Sequence, residues 1–246
     1  RDRSVSRGLG DVYKRQRMNT MTEKEELIIP FDEIKNNKEI NTYITQANAS
    51  LSAMGFTEHS FGHVTICVNV VKDLLTKLGY SKREINLGQI AAYMHDIGNV
   101  VNRNDHAQTG AVMAFRILDN LGMMVEDIAT IVTAIGNHDD STAYPVNAIT
   151  AALILADKTD VRRSRVTNKD RTTFDIHDRV NFAAVQNSVN LDTEAKTFTL
   201  KIVIDTEICS VMDYFEIFLE RMILCKKAAK KLGLEFRLII NDLSVI

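Results

Sequence analysis

Four histidines recur at a fixed spacing in this sequence. His63 lies 32 residues before His95, and His106 lies 32 residues before His138. Each second histidine is followed directly by an aspartate, so the pattern His-x31-His-Asp occurs twice with an offset of 43 residues. Imidazole nitrogens and carboxylate oxygens are common ligands of transition metals in proteins. The repeated pattern therefore predicts a metal centre with donors for one or two ions.

The two His-Asp pairs widen the range of ions that these side chains can reach. Neighbouring side chains on a helix diverge by about 100°, so His95 and Asp96 can face different ions. The same holds for His138 and Asp139. A lone histidine on an apolar face is more often a core residue held by hydrogen bonds. The ordered repetition of four of the six histidines favours ligation instead.

Helical periodicity dominates the segment that must position these residues. The apolar spacing from Val64 to Leu78 is that of an amphipathic helix. Ser81 and Glu84 form a capping-box pattern that opens the helix carrying His95. Asn104 or Asp105 is placed to cap the helix that begins at His106. The predicted helices cover residues 32–55, 60–78, 81–95, 106–121, 126–137 and 147–165, which together make a compact helical bundle.

The periodicity changes beyond Asp170. Residues 180–191 and 197–204 read as two strands, with Phe198, Leu200, Ile202 and Ile204 alternating in the second. An amphipathic helix is predicted over residues 207–232, and a last strand contains Phe236 to Ile240. The fold class predicted is mainly α: a helical bundle in residues 18–170 followed by a small α+β appendage of β-β-α-β order in residues 171–246. The appendage is either a dimerisation, sensing or partner-binding module or a lid packed on the bundle.

The first residues look foreign to the rest of the chain. Residues 1–17 have no amphipathic period, and residues 6–16 resemble the translation of a sequencing adapter, which places the natural start at Met18 or Met21. The alternative is a natural basic arm that binds nucleic acid. This segment holds six Lys/Arg and two Asp, so its removal moves the formal net charge from −2 to −6. An acidic body without a basic stripe predicts no nucleic-acid partner.

Cysteine content and apolar run length predict a cytoplasmic protein without a membrane span. Cys67, Cys209 and Cys225 are odd in number and lack C-x-x-C spacing, which is typical of reduced, buried thiols. The longest apolar run, residues 148–156, is far below the roughly 18 residues of a membrane helix.

The order of these residues resembles a known family. His63, then His95-Asp96, then Asp157 is similar to the H…HD…D signature of the HD-domain metal-dependent phosphohydrolases, over about residues 31–166. The resemblance implies an all-helical fold and adds Asp157 to the ligands. His106 and His138 fall where two-metal members carry extra histidines, and Asp139 lies where some members have a further histidine. The implied metal ligands are His63, His95, Asp96, His106, His138, Asp139 and Asp157.

Two segments depart from the HD-GYP branch of that family. Asn99 stands where HD-GYP members usually have lysine, and DDSTAYPVN replaces their GYP tail. Asn99 is expected either to orient substrate or water or to cap a helix. These departures make cyclic di-GMP a weak candidate substrate.

In this family a basic residue shortly after the last aspartate contacts phosphate. The resemblance implies the same role for a basic residue in the segment ILADKTDVRR, residues 154–163. On a continuous helix, Lys158 and Arg162 would share one face because they are four residues apart. We expect both to contact substrate and to join Asp96 as catalytic residues. The alternative is a solvated basic face.

The leading hypothesis is a metal-dependent phosphohydrolase that acts on a phosphoester or phosphoanhydride of a small molecule, chiefly a nucleotide. Histidine-rich ligation favours Mn, Fe or Co over Mg as the divalent ion. A catalytically inactive module that binds metal and nucleotide in signalling is the alternative. An inert helical scaffold would require the repeated histidines to be accidental. The appendage is the expected surface for a homodimer.

Overall fold

The computed structural model describes residues 29–140 and 142–245. The predictions for residues 1–17, and for a start at Met18 or Met21, lie outside the described residues. No helix in the described ranges combines the length and apolarity that a membrane crossing needs. The nine α-helices of the described residues are α1 Phe31–Lys35, α2 Lys38–Ala53, α3 Phe61–Lys77, α4 Lys82–Met94, α5 His106–Asn120, α6 Val125–Gly136, α7 Ala148–Lys158, α8 Ile176–Ala183 and α9 Val211–Lys231.

Local capping explains several of these boundaries. The capping box of Ser81 and Glu84 opens α4 as predicted. The single helix expected over residues 32–55 is divided, because the side chain of Asn37 accepts hydrogen bonds from the amides of Glu39 and Ile40 and starts a new helix. Asp105 occupies the position before α5 in a left-handed conformation, but its side chain makes no capping hydrogen bond.

Helices α3 to α6 form two matching pairs. Helix α3 ends at Lys77 and α4 begins at Lys82, and the corresponding ends of α5 and α6, at Asn120 and Val125, lie 43 residues later. The two turns carry Gly79 and Gly122, and both glycines have a φ of +78°, a conformation that glycine adopts without strain. The spacing seen in the sequence is thus a repeat of the turns and of the helix ends that flank them.

Helix α7 forms the centre of the bundle. Its residues from Ile149 to Ala156 are all buried, and it packs against α3, α4, α6 and α9. It ends at Lys158, so the prediction of a helix continuing to Arg165 is wrong. Thr159 hydrogen-bonds the carbonyl of Leu155, and the following residues turn away as extended backbone and a short 3-10 helix.

The C-terminal appendage has the predicted β-β-α-β core, with helix α8 added before the first strand and a short strand added after the last. Strands β1 Ala184–Asp192, β2 Thr197–Ile204, β3 Glu235–Ile240 and β4 Leu243–Ser244 form one sheet in that order. Strands β2 and β3 are parallel and are joined through α9, whereas the other two pairings are antiparallel. Residues 180–183, expected in a strand, belong to α8 instead.

The appendage and the bundle share one hydrophobic core. Buried apolar residues of α7, α9 and the sheet belong to the same contiguous cluster. Ser210 caps α9, so this helix starts four residues later than predicted. All three cysteines are free and buried, as predicted. The division of the chain at residue 170 stays a prediction.

Candidate metal centre

The predicted ligands come together at the ends of five helices. His63 lies in the first turn of α3, His95 and Asp96 directly follow α4, and His106 is the first residue of α5. His138 and Asp139 follow α6, and Asp157 is the penultimate residue of α7. All four histidines are buried. The structure therefore places the predicted side chains in one cluster, which is the geometry that a metal centre requires.

A glycine contact allows this close approach. A Cβ atom on Gly98 would lie 2.0 Å from the carbonyl oxygen of His106 and 2.5 Å from the amide nitrogen of Gly110. No side chain fits there without moving backbone. Gly98 follows Asp96 in a short 3-10 helix, Ile97–Val100, so its missing side chain lets the Asp96 segment lie directly on the start of α5.

The hydrogen bonds of the Nδ1 atoms orient all four imidazole rings. Nδ1 of His95, His106 and His138 lies 2.9, 3.0 and 2.6 Å from the carbonyl oxygens of Ala92, Arg103 and Ile135, respectively. Nδ1 of His63 lies 2.8 Å from Asp160 Oδ2. Because these oxygens can only accept, each Nδ1 donates its proton and each Nε2 retains a lone pair. This is the tautomer that metal binding through Nε2 requires.

The first half of the cluster has closely spaced donor atoms. His63 Nε2 lies 3.3 Å from His95 Nε2 and 3.2 Å from Asp157 Oδ1. Asp96 Oδ2 is 3.3 Å from His95 Nε2. Two ligands bound at 2.0–2.2 Å to one ion are separated by about 3.0–3.4 Å. Cys67, whose buried Sγ lies 3.6 Å from His63 Nε2, joins His63, His95 and Asp157 as a group able to hold an ion.

The second half is built around the other oxygen of Asp96. Asp96 Oδ1 lies 3.4 Å from His106 Nε2 and 3.8 Å from His138 Nε2. Asp139 Oδ1 lies 3.8 Å from His106 Nε2. The guanidinium of Arg103 is also present, with Nη1 3.4 Å from His106 Nε2. Asp96 therefore directs one oxygen to each pair of histidines.

Buried polar atoms of this cluster are suited to a cation. Within the described residues, Asp96 Oδ2 and His138 Nε2 are buried and have no hydrogen-bond partner. A buried polar atom without a partner is costly. Divalent ions bound in the cluster would satisfy such atoms, and the N/O donor set suits transition metals. The side chains present thus fit the metal that the sequence predicts.

The ionisation states of His106, Asp96 and Asp157 favour metal binding near neutral pH. Burial lowers the pKa of His106 to about 4, so this ring is neutral. Burial alone would raise the pKa of Asp96 and Asp157, but the charge of His95 beside the first and of Lys158 beside the second holds both well below the usual range. Neutral imidazole and ionised carboxylate are the forms that ligate metals.

Asp160 and Asn99 hold two of the ligands in place. Asp160 was not predicted from the sequence, and the role of Asn99 was left open. Asp160 fixes His63, and its own pKa falls to about 2, since hydrogen bonding from His63 and nearby arginine charges outweigh burial. Asn99 donates its Nδ2 to Asp96 Oδ1 at 2.9 Å and to the Asp96 carbonyl. The amide of Asn99 therefore holds the carboxylate of Asp96. Both residues are polar and lie within one helical turn of a predicted ligand, and this position is the signal that could have identified them from the sequence.

Lys158 and Arg162 do not share a helix face, because α7 ends at Lys158. The Lys158 ammonium is buried, 2.7 Å from Asp157 Oδ2 and 3.2 Å from Asp140 Oδ1. Arg162 contacts Glu58 Oε2 at 3.0 Å and Asp160 Oδ1 at 2.9 Å. Both cations are thus held by carboxylates, and their contact with substrate stays a prediction.

The segment that contains this cluster is similar to known proteins. Residues 56–165 match the family model of the HD domain, a range that contains all seven predicted ligands. An uncharacterized protein of Methanocaldococcus jannaschii is 23% identical over 201 residues, covering 72% of this chain and 76% of that protein. A crystal structure of a predicted HD superfamily hydrolase from an uncultured Thermotogales bacterium is 22% identical and covers 58% of this chain and 74% of its own, with a TM-score of 0.42.

Proposed function

Residues 56–165 match the HD domain, and from this match we propose that the chain is a member of the HD-domain superfamily that hydrolyses a phosphoester or phosphoanhydride bond of a small molecule, chiefly a nucleotide, with bound divalent ions. HD domains are generally metal-dependent phosphohydrolases. The finer parts of the proposal are the nucleotide class of the substrate and the use of two ions.

The placement of Asp96 is the observation that carries the proposal. Its Oδ2 faces His63 and His95, its Oδ1 faces His106 and His138, and every Nε2 in the cluster has a lone pair. A carboxylate between two imidazole pairs supports a centre with two ions. His63, His95, Asp96 and Asp157 would hold one ion, and His106, His138, Asp139 and Asp96 the other. Bound divalent ions lower the pKa of water and stabilise negative charge on phosphoryl oxygens.

Other side chains support the donors and add positive charge. Asn99 holds the carboxylate of Asp96, and Asp160 holds the ring of His63. Lys158 keeps Asp157 in place and lines a small cavity over the cluster together with Arg103. A cation at that position can orient a phosphate and stabilise its charge. Arg162 acts indirectly, as a positioning residue, because Asp160 and Glu58 engage its guanidinium.

The test is a turnover screen combined with elemental analysis. Protein purified without chelator should approach two transition-metal ions per chain. It should release phosphate or a nucleoside monophosphate from at least one phosphorylated metabolite in the presence of Mn, Fe, Co or Mg. A metal-loaded protein that binds nucleotides in the micromolar range but releases neither product would instead be a signalling module.

A further inference from the structure

A cavity of about 310 Å³ lies between the HD domain and the C-terminal appendage. The HD domain contributes His59, Arg103 and Arg165 to its wall. The appendage contributes His177 from α8 and Arg221 from α9. The size is at the lower end of the range of small-molecule sites. The appendage therefore forms part of a pocket that the HD domain alone leaves incomplete.

This cavity adjoins the small cavity over the metal centre, and the two share part of their walls. His59, Arg103, Arg165 and Arg221 line it and also line the small cavity over the cluster. The floor of that small cavity includes Asp96, His106, Asp157 and Lys158. A molecule with one group at the metal centre would extend naturally into the larger cavity.

The charge in the wall is predominantly positive. Three arginines line the cavity, and Asp175 is the only carboxylate in the wall formed by the described residues. That carboxylate accepts a hydrogen bond from the amide of Asp178 at the start of α8. Guanidinium groups bind phosphate and carboxylate through paired hydrogen bonds. The wall is therefore suited to an anion.

Two of the arginines are held rigidly. Arg165 is 5% exposed, and it donates from Nε to the carbonyl of Glu58 and from Nη1 to the carbonyl of Asp160, each at 2.9 Å. Arg221 donates from Nε to Asp140 Oδ2 at 2.7 Å, and its guanidinium lies 4.7 Å from the ring centroid of Phe218. Side chains fixed before binding lose little conformational entropy when a ligand arrives.

We propose that this cavity binds a second anionic group of the substrate, and that Arg221 of the appendage determines specificity for it. This inference rests on the proposed function, because the first phosphate lies at the metal centre. The preferred substrate class is then a small phosphorylated molecule that carries a further phosphate or carboxylate beside the phosphate that is hydrolysed. The appendage acts in substrate recognition.

The test compares adenosine 5′-monophosphate with adenosine 3′,5′-bisphosphate on the full chain. The bisphosphate should bind at least 10-fold more tightly by calorimetry. Arg221→Gln should reduce that preference by about 10- to 100-fold, the range of one charge-assisted hydrogen bond. Arg179→Gln is the matched control, because it removes a positive charge from α8 outside the cavity and should keep the preference. Elemental analysis should find the same metal content in both variants.

A second variant avoids the ion pair with Asp140. His177 is exposed on α8 at the cavity wall, so His177→Glu adds a carboxylate facing the ligand and should also lower the preference. This variant decides the matter if Arg221→Gln loses metal.

The binding and turnover results distinguish the two proposals. Equal affinity for the two nucleotides, or Arg221→Gln and His177→Glu both indistinguishable from Arg179→Gln, would overturn the inference even if phosphate is released. Arg221-dependent binding of the bisphosphate without any turnover would support the inference and count against the proposed hydrolysis.

Discussion

The two helix pairs of the bundle present the same histidine pattern in different surroundings. In the first half, α3 and α4 supply His63 and His95, and in the second half, α5 and α6 supply His106 and His138. The Nδ1 atoms of His95 and His138 donate to the carbonyl oxygens of Ala92 and Ile135, which are also 43 residues apart. The backbone thus orients the second histidine of each pair in the same way.

The halves differ in the charges around the first histidine. The carboxylate of Asp160 contacts Nδ1 of His63, and the carboxylate of Asp157 in α7 contacts its Nε2. His106 has a backbone carbonyl behind it, and the guanidinium of Arg103 contacts its Nε2. Carboxylates favour a cation, whereas a guanidinium opposes one. We infer that the first half holds its ion tightly and that the second half exchanges its ion more easily.

Asp96→Asn should have the largest effect, because this carboxylate belongs to both halves. An amide cannot carry the bridging charge, so both ions should be lost or weakened together. Turnover should fall at least about 1,000-fold, beyond the 10- to 100-fold effect typical of a residue that only supports a ligand. Elemental analysis and turnover measure this. Full retention of both ions would contradict the bridging role.

Removing the histidine ligands of one half at a time should reveal the difference in metal affinity between the two halves. His106→Ala combined with His138→Ala should leave one ion per chain, because the first-half donors remain complete. His63→Ala should reduce the metal content of the first half and lower turnover by about 100-fold or more. A dialysis series against a chelator, followed by elemental analysis, gives the order of release. Wild-type protein that loses both ions together would refute the proposed asymmetry.

Gly98→Ala tests the contact that joins the halves. The new Cβ would overlap backbone atoms of His106 and Gly110, so we expect a loss of about 3 kcal/mol or more in the free energy of unfolding. Gly136→Ala is the control, since its Cβ would meet only Ala111 Cβ at an ordinary 3.6 Å. Urea denaturation of both variants measures the difference. Equal stability would mean that the contact is looser than the structure shows.

Asp160→Asn tests the carboxylate that only the first half has. The amide leaves the shape of the side chain but removes the charge that holds His63, so metal affinity should fall about 10- to 100-fold in the first half. Asp127→Asn is a matched control, because Asp127 is also buried and paired with an arginine, Arg83, but lies away from the cluster. Metal titration of the chelated protein compares them. An equal effect in both variants would assign Asp160 to general stability.

The fold and most of the candidate ligands could be predicted because each depends on a local pattern. The apolar periodicity of α3 to α6 and the capping box at Ser81 depend on neighbouring residues alone. The spacing of the histidines locates them at helix ends, where the structure also finds them. The HD-domain model matches residues 56–165, as the resemblance carried by His63, His95, Asp96 and Asp157 predicts.

Tertiary contacts explain what the sequence pattern did not predict. Asp160 was not predicted to contact a ligand, but it pairs with His63, 97 residues away, and it lies beyond the end of the helix at Lys158. For the same reason the shared face of Lys158 and Arg162 does not exist. The cavity lined by Arg103, Arg165 and Arg221 could not be predicted, because these residues are distant in sequence and carry no motif.

The smallest expected effect is that of histidine protonation on the stability of the metal-free protein. This effect also differs between the two halves. Burial lowers the folded pKa of His106 from 6.5 to about 4, so between these values the unfolded chain binds the proton and the folded chain does not. Stability from this group is therefore lost as pH falls from about 6.5 to 4, by at most about 3 kcal/mol.

His95 acts in the opposite direction to His106. Burial opposes its protonation, but the charges of Asp96 and Asp157 outweigh it and raise its pKa, so its contribution is present below 6.5 and is lost as pH rises through the folded value. Urea denaturation of chelated wild type and His106→Gln across this window should show a weaker loss at low pH in the variant. Identical pH profiles would mean that folding does not lower the pKa of His106, which would remove the argument that burial keeps this ring neutral and ready to bind metal.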